Sequence, residues 1–345
     1  MKPVSGAGPG GAPRLGPTLA DVGEDALVRA VLGRYRPAPG FLLVPAGDDA
    51  AVLEVPSVPG SRLVVSTDTL VEGADFRRDW SGGRDVGVKL AAQNFADIAA
   101  MGARPLALVV SLAAPPALPL DWATALADGL DDETARAGAA VAGGDVSQSA
   151  QLVLTGTALG VLAGRPVLRS GARTGDVVAL AGRTGPSAAG LALLLAAGSP
   201  AAAAGLAQPA SALVESHLAP RPGYAAGPDA ARAGASALID VSDGLLRDAG
   251  RVAQASGVVL DLDPAALAAP ADLADAADAL GTRALALEWV LTGGEDHALL
   301  ACFPPDADLP APFAVVGRVL AAPDNPGVLV GSHPWTGPDG WHHFT

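Results

Sequence analysis

The run Arg62-Leu63-Val64-Val65 leads directly into Ser66-Thr67-Asp68-Thr69-Leu70-Val71-Glu72-Gly73, so a β-favouring segment ends in four consecutive oxygen-bearing side chains. A buried carboxylate without partners costs several kcal/mol. This end of a strand is therefore unsuited to a core and suited to a site, and its oxygens are ligands of the kind a hard cation takes. Acidic spots of the same character are scattered along the chain: Asp48-Asp49, Asp97, Asp145, Asp240 with Asp243, and Glu295-Asp296. Each lies beside glycine, beside a hydroxyl residue or at the end of an apolar run. Together they read as one site assembled from distant loops, in an ATP-using enzyme that works through several Mg²⁺ ions.

Charge narrows the partners. The formal net charge is −14, and Lys2 and Lys89 are the only lysines among 22 basic residues. Nucleic-acid surfaces need clustered Lys and Arg, so that class is disfavoured. The P-loop pattern G-x-x-x-x-G-K-[ST] is absent, and an acidic protein that binds a polyanion must neutralise it with metal ions or a few arginines. Cys302 is the single cysteine, inside the apolar run Ala298-Leu299-Leu300-Ala301-Cys302-Phe303. It forms no intramolecular disulfide and reads as a small buried hydrophobe. Residues 1–17 are rich in Gly and Pro without an apolar centre, which is the pattern of a disordered tail rather than a signal peptide. The Ala/Gly-rich run from Ala188 to Ala207 is broken by Ser199-Pro200, which fits a surface helix and loop and not a membrane span. A cytoplasmic, reducing location is expected.

A length of 345 residues accommodates two domains. Leu19 to Leu32 predicts a short helix with Thr18 or Asp21 as its cap, and Gly47-Asp48-Asp49 a turn entering a strand at Val52, where Asp48 equally suits a turn cap. Asp85 to Met101 predicts a helix on which Asn94 and Asp97, three apart, project from one side. Leu106 to Leu112 is a buried-strand run, Leu120 to Ala139 a second helix, and Gln151 to Leu162 a strand that breaks at Gly164-Arg165-Pro166. Beyond the break come strands at 176–181, 235–241 and 258–262, helices at 186–197 and 245–255, and apolar segments at 298–303 and 313–319. Residues 198–210 read as loop or poorly ordered helix. The fold class expected is α/β with α+β-like mixed sheets, in two domains, 18–164 and 165–345. Strand-to-acidic-loop-to-helix units in both halves point to a site in the cleft between them.

Taken in order, the motifs Gly-Asp-Asp-Ala-Ala-Val from Gly47, Ser-Thr-Asp-Thr-Leu-Val-Glu-Gly from Ser66, Asn-Phe-Ala-Asp-Ile-Ala-Ala-Met-Gly-Ala from Asn94, Gly-Gly-Asp from Gly143, Arg-Ser-Gly-Ala from Arg169, Asp-Val-Ser-Asp-Gly-Leu from Asp240 and Thr-Gly-Gly-Glu-Asp from Thr292 resemble the thiamine-monophosphate kinase family. The resemblance runs from about residue 23 to the end. It implies transfer of the ATP γ-phosphoryl group to thiamine monophosphate, a fold shared with aminoimidazole ribonucleotide synthetase and selenophosphate synthetase, and a homodimer formed through the amino-terminal sheets. It further implies that Asp49, Ser66, Thr67, Asp68, Asp97, Asp145, Asp240 and Asp243 ligate Mg²⁺, with Asp68, Asp97, Asp145 and Asp243 central to catalysis. Gly144, Asp145, Arg169 and Ser242 would meet the nucleotide, and Asp75, Glu295 and Trp341 the substrate. Three positions depart from the family pattern: Asp75 stands where histidine is common, His297 where tyrosine is usual, and Phe95-Ala96 where a Leu/Val-Ser pair precedes the aspartate.

The chemistry accounts for the carboxylates. Donor and acceptor are both phosphates, so the obstacle is gathering two polyanions and stabilising the charge on the transferring group. An already anionic acceptor oxygen needs no covalent nucleophile or strong base. Another ATP-dependent member of the same superfamily, or a non-catalytic nucleotide or divalent-cation binder, is the competing expectation.

Overall fold

The computed structural model describes residues 16–22, 24–37, 39–44, 52–54, 61–207, 210–322 and 325–342. Helices α1 (Leu19–Val22) and α2 (Glu24–Leu32) replace the single predicted helix, and Thr18 donates to Asp21 Oδ2 from both its backbone N–H and its hydroxyl, at 2.9 and 2.8 Å. Strands β1 (Leu42–Val44) and β2 (Val52–Leu53) form a small antiparallel pair. There follow β3 (Ser61–Val71), α3 (Gly83–Ala100), β4 (Arg104–Ala114), α4 (Leu120–Arg136), β5 (Ala140–Gln148) and β6 (Val153–Ala163). The remainder comprises β7 (Val177–Ala181), α5 (Pro186–Ala197), α6 (Pro200–Ala203), α7 (Ala210–Leu218), α8 (Ala226–Arg232), β8 (Ala237–Val241), α9 (Leu245–Ser256) and β9 (Val258–Leu262). The last elements are α10 (Ala271–Ala279), α11 (Leu285–Thr292), β10 (Ala298–Phe303), β11 (Ala314–Ala321), β12 (Gly327–Val330) and β13 (His333–Pro334).

Two mixed sheets result. The first has the order β3-β6-β4-β5, antiparallel except for the parallel β4/β5 pair, and the second the order β13-β12-β9-β11-β7-β10-β8, antiparallel except for β12/β9. Strand β10 shows why its sequence reads as one continuous apolar run. All six of its residues are buried, with Leu299, Ala301 and Phe303 on one face and Ala298, Leu300 and Cys302 on the other, because the larger sheet is covered on both sides. One cover is the carboxy-terminal helical layer, where Leu193, Leu213, Val252 and Leu291 pack. The other is α3, whose Leu90, Phe95 and Ile98 share a core with Leu299 and Phe303. Burial pushes the Cys302 thiol up to about 12, in keeping with a small buried hydrophobe.

Helix α3 is thus sandwiched between the sheets, which is why it is buried almost all round. Its approach to α4 is close enough that a Cβ at Gly87 would collide with the Leu126 carbonyl, and one at Gly129 with that of Arg84. Among the described residues the first sheet is covered by α3 and α4 on one face and, on its opposite face, only where Phe41 packs against buried Ala107 and Ala142. On that opposite face, Leu63 and Val65 are 50% and 58% exposed and Val109 39%. No helix among the described residues is long and apolar enough to cross a membrane.

Candidate active site

A cleft of about 530 Å³ opens where the end of β3, one stripe of α3 and the loops following β8 and α11 converge. Helix α3 contributes Lys89, Gln93 and Asp97, spaced four residues apart and so aligned along one face. From β3 comes Asp68, whose backbone N–H donates to Asn94 Oδ1 at 3.2 Å, while Asn94, fully buried, returns its Nδ2 to the Leu90 carbonyl at 2.9 Å. Ser66 donates its hydroxyl to Asp97 Oδ2 at 2.5 Å. Asp240, at the end of β8 and 7% exposed, lies across from them. Burial, then the charge of Asp240, then that of Asp68 raise Asp97 to about 7 against the opposing Ser66 bond. Burial and the two neighbouring carboxylates thus oppose ionisation of Asp97.

The loop after α11 is held by an acid that does not face the cleft. Asp296 receives the backbone N–H of Gly185 at 2.6 Å and of Ser187 at 2.8 Å, capping α5. Burial raises its carboxyl to about 7 despite those two donors. Its neighbours Glu295 and His297 adopt left-handed backbone (φ 65° and 53°) and both line the cleft. His297 Nδ1 is 3.3 Å from Asp240 Oδ2, and although burial disfavours its charged form, the bond to Asp240 and the surrounding carboxylates leave its pKa raised. Asp248, in the first turn of α9, accepts from the backbone N–H groups of Ser242 and Asp243, each at 3.0 Å, and so shapes that loop. Burial raises Asp248 to about 6 against the pull of Arg251. The Asp243 carboxylate is met by Arg251 at 2.5 Å and Arg247 at 3.3 Å, and its carbonyl accepts the N–H of Trp341 at 2.9 Å.

Of the residues expected from sequence, the structure gathers Ser66, Asp68, Asp97, Asp240, Ser242, Asp243, Glu295 and Trp341 at this cleft. Asp75 is also there, but its Oδ2 accepts the Val71 N–H at 2.7 Å and so closes its own turn. Four others are placed elsewhere in this chain. Thr67, adjacent to Asp68 in the strand, points to the opposite face and donates to the Gly156 carbonyl at 2.8 Å. Gly144 and Asp145 lie on β5, at the far edge of the sheet from β3, beside a largely apolar hollow of about 100 Å³ bordered by Tyr35 and Leu32. Through the pairs Asp145/Ser111, Ser111/Thr155 and Thr155/Thr69, Asp145 shares the open face with Thr67. Arg169 is exposed on the connection between the sheets. Asp49 lies outside the described residues.

Lys89 and His217 were not singled out from the sequence. Lys89 pairs with Glu295, and His217 Nδ1 stands 3.3 Å from Glu295 Oε2 and 3.1 Å from Ser187 Oγ. The available signal for Lys89 was its place four and eight residues before Gln93 and Asp97. Among the described residues no three Asp, Glu, His or Cys side chains form a ready metal cluster. The donors nonetheless fit Mg²⁺, which takes one or two carboxylates and completes its shell from phosphate and water. An all-oxygen set in which Asp97 stands against the charges of Asp68 and Asp240 is what such an ion relieves.

Fold and site together define a member of the aminoimidazole ribonucleotide (AIR) synthase-like superfamily, and residues 47–162 match the family model described as AIR synthase related protein, N-terminal domain. Thiamine-monophosphate kinase of Mycobacterium tuberculosis is 49% identical over 331 residues, spanning 95% of this chain and 93% of that protein. The crystal structure of thiamine-monophosphate kinase from Stenotrophomonas maltophilia K279a superposes with a TM-score of 0.74 at 30% identity, covering 90% of this chain and 95% of that one. The structure of AaThiL complexed with AMPPCP and TMP gives 0.71 at 31% identity, covering 86% and 91%. The chain belongs to the thiamine-monophosphate kinase family.

Proposed function

We infer that this enzyme transfers the γ-phosphoryl group of ATP to the phosphate of thiamine monophosphate, giving thiamine diphosphate and ADP. The observation that carries the reading is the cleft itself, where Asp68, Asp97, Asp240 and Asp243 converge on one cavity in a chain nearly half identical to a kinase of this name. The relative complexed with AMPPCP, an analogue of ATP, and TMP supports the same substrate pair.

Asp68, Asp97, Asp240 and Asp243, with Ser66, would hold Mg²⁺, and Asp49 is assigned with them. When bound, these ions supply the positive charge that draws two phosphates together and offsets charge on the transferring group. The chain's own groups orient the reactants. Asn94 fixes the Asp68 backbone, Asp248 shapes the Ser242-Asp243 turn toward the nucleotide phosphates, and His297 holds Asp240. Glu295, Trp341 and the Asp75 turn line the part of the cleft assigned to the organic end of the acceptor. Trp341, 62% exposed, offers an aromatic face for a thiamine ring.

We assign the homodimer contact to the open face of the first sheet, on the strength of exposed Leu63, Val65 and Val109. A twofold axis along the strands would set the β5 edge of one copy over the β3 edge of the other. That arrangement brings Gly144 and Asp145 toward the Thr67 side of a neighbouring site, and it accounts for their separation within one chain. The acidic composition and single buried cysteine suit a cytoplasmic enzyme.

The test is ADP release with Mg²⁺ and ATP, comparing thiamine monophosphate, thiamine and no acceptor. Turnover with thiamine monophosphate alone, abolished by EDTA and restored by Mg²⁺, is expected. ADP release that ignores the acceptor refutes the substrate assignment.

A further inference from the structure

In a cleft that must gather two polyanions, the ammonium of Lys89 is an obvious partner for phosphate. The geometry points elsewhere. An ammonium group has three N–H donors. Lys89 Nζ lies 2.9 and 3.0 Å from the two carboxylate oxygens of Glu295 and 3.2 Å from the Asp75 carbonyl, which accounts for all three. Its side chain is 3% exposed. An incoming phosphate would meet no free donor, and taking one would break a pair of which one member is buried. We propose that Lys89 is a positioning residue for Glu295, fixing that carboxylate toward the organic end of the acceptor while leaving the phosphates to the aspartate side of the cleft. The inference rests on the kinase reading above.

The surroundings support it. Burial would raise the Glu295 carboxyl, but the charge of Lys89 and its hydrogen bonds reverse the direction and leave it lowered. His217 is brought to about 4 by its own burial and by the Lys89 charge, so near neutral pH it is an uncharged second support, also within reach of Ser187. Asp75 completes the arrangement. Its carboxylate is engaged by the Val71 N–H, and the turn so formed presents its carbonyl to Lys89. In this chain the residue at the family's histidine position thus supports the lysine. Each carboxylate oxygen retains lone-pair capacity beyond its bond to Lys89, and the Glu295 side chain is 36% exposed toward the cleft. A donor or cation on the acceptor's rings can use it.

Lys89→Met removes the charge and keeps most of the length. Kinetics with each substrate varied separately are compared for the wild type, Lys89→Met, Glu295→Gln and the double variant, with melting curves for each. The expected result is a KM for thiamine monophosphate raised at least about tenfold, with kcat and the KM for ATP within about twofold. The double variant should then be no worse than Glu295→Gln alone, because the lysine acts through the glutamate. A kcat loss or a raised KM for ATP with the acceptor KM unchanged overturns the proposal and returns Lys89 to the phosphates. Multiplying effects in the double variant overturn it as well. Should Lys89→Met not fold, Lys89→Leu, which likewise removes every donor to Glu295, is read by the same criteria. A wild type with no thiamine-monophosphate-dependent turnover refutes the kinase reading itself, before any variant is compared.

Discussion

Replacing Asp97 by asparagine should make the metal-free protein more stable while nearly abolishing its activity. Asp97 sits beside Asp68 and Asp240, and burial with those charges raises it to about 7 from an ordinary 3.8. The folded state therefore holds this proton more tightly than the unfolded chain does. That stabilisation is fully present below about pH 4 and is lost as pH rises toward 7, after which the ionised carboxylate is a constant cost. The interval is roughly three pH units, and at ~1.4 kcal/mol per unit it sets a ceiling of ~4 kcal/mol. Residual solvent at the cleft screens part of this, leaving about 2 kcal/mol at pH 8. The substituted amide keeps an oxygen for the Ser66 hydroxyl, whose bond to Asp97 measures 2.5 Å, so little is lost in exchange. The assay is thermal melting of both proteins in EDTA at pH 8 and pH 5. Asp97→Asn should melt about 5 °C higher at pH 8 and keep only about 40% of that advantage at pH 5, while adding Mg²⁺ at pH 8 should raise the wild type more than the variant. Kinase turnover should fall by about 100-fold or more. A variant that is no more stable than the wild type at pH 8, or whose advantage is equal at both pH values, refutes the argument that unbalanced charge is stored at this site.

Glu133 is fully buried in α4 and accepts from Tyr224 at 2.5 Å, Arg136 at 2.9 Å and Arg221 at 3.2 Å, tying α4 to the segment before α8. Glu133→Ala strands those donors and should cost about 3 kcal/mol in urea unfolding, and a loss under about 1 kcal/mol would show the cluster to be dispensable. Trp341→Ala, at a largely exposed side chain, should leave the melting temperature unchanged and raise the KM for thiamine monophosphate about tenfold; an unchanged KM would remove Trp341 from the substrate side.

Much of this molecule was legible in its sequence, and the exceptions have identifiable causes. Helix α5 falls where its apolar run and flanking glycines place it, at Pro186–Ala197, and β9 at Val258–Leu262. Helix α7 was hidden because Ala210–Leu218 adjoins an alanine-rich stretch without clear period. The four-residue β12 at the Gly327–Val330 segment is too short for alternation to register. The acidic lining of the cleft was legible in part: Asp68, Asp97, Asp240 and Asp243 meet there, whereas Asp75 closes its own turn and Asp296 caps α5.

Local sequence by itself determined the longer strands, the main helices and the oxygen-bearing residue types that line the cleft. It left open which oxygens meet. Ser66, Thr67 and Asp68 are indistinguishable as a run, yet strand alternation sends Ser66 and Asp68 toward α3 and Thr67 to the open face, and only the packing of α3 decides which side is the cleft. The Lys89–Glu295 pair, 206 residues apart in the chain, exists only because α3 lies between the two sheets. Side-chain types travel with the sequence, whereas their mutual distances depend on how separate elements bury a shared core.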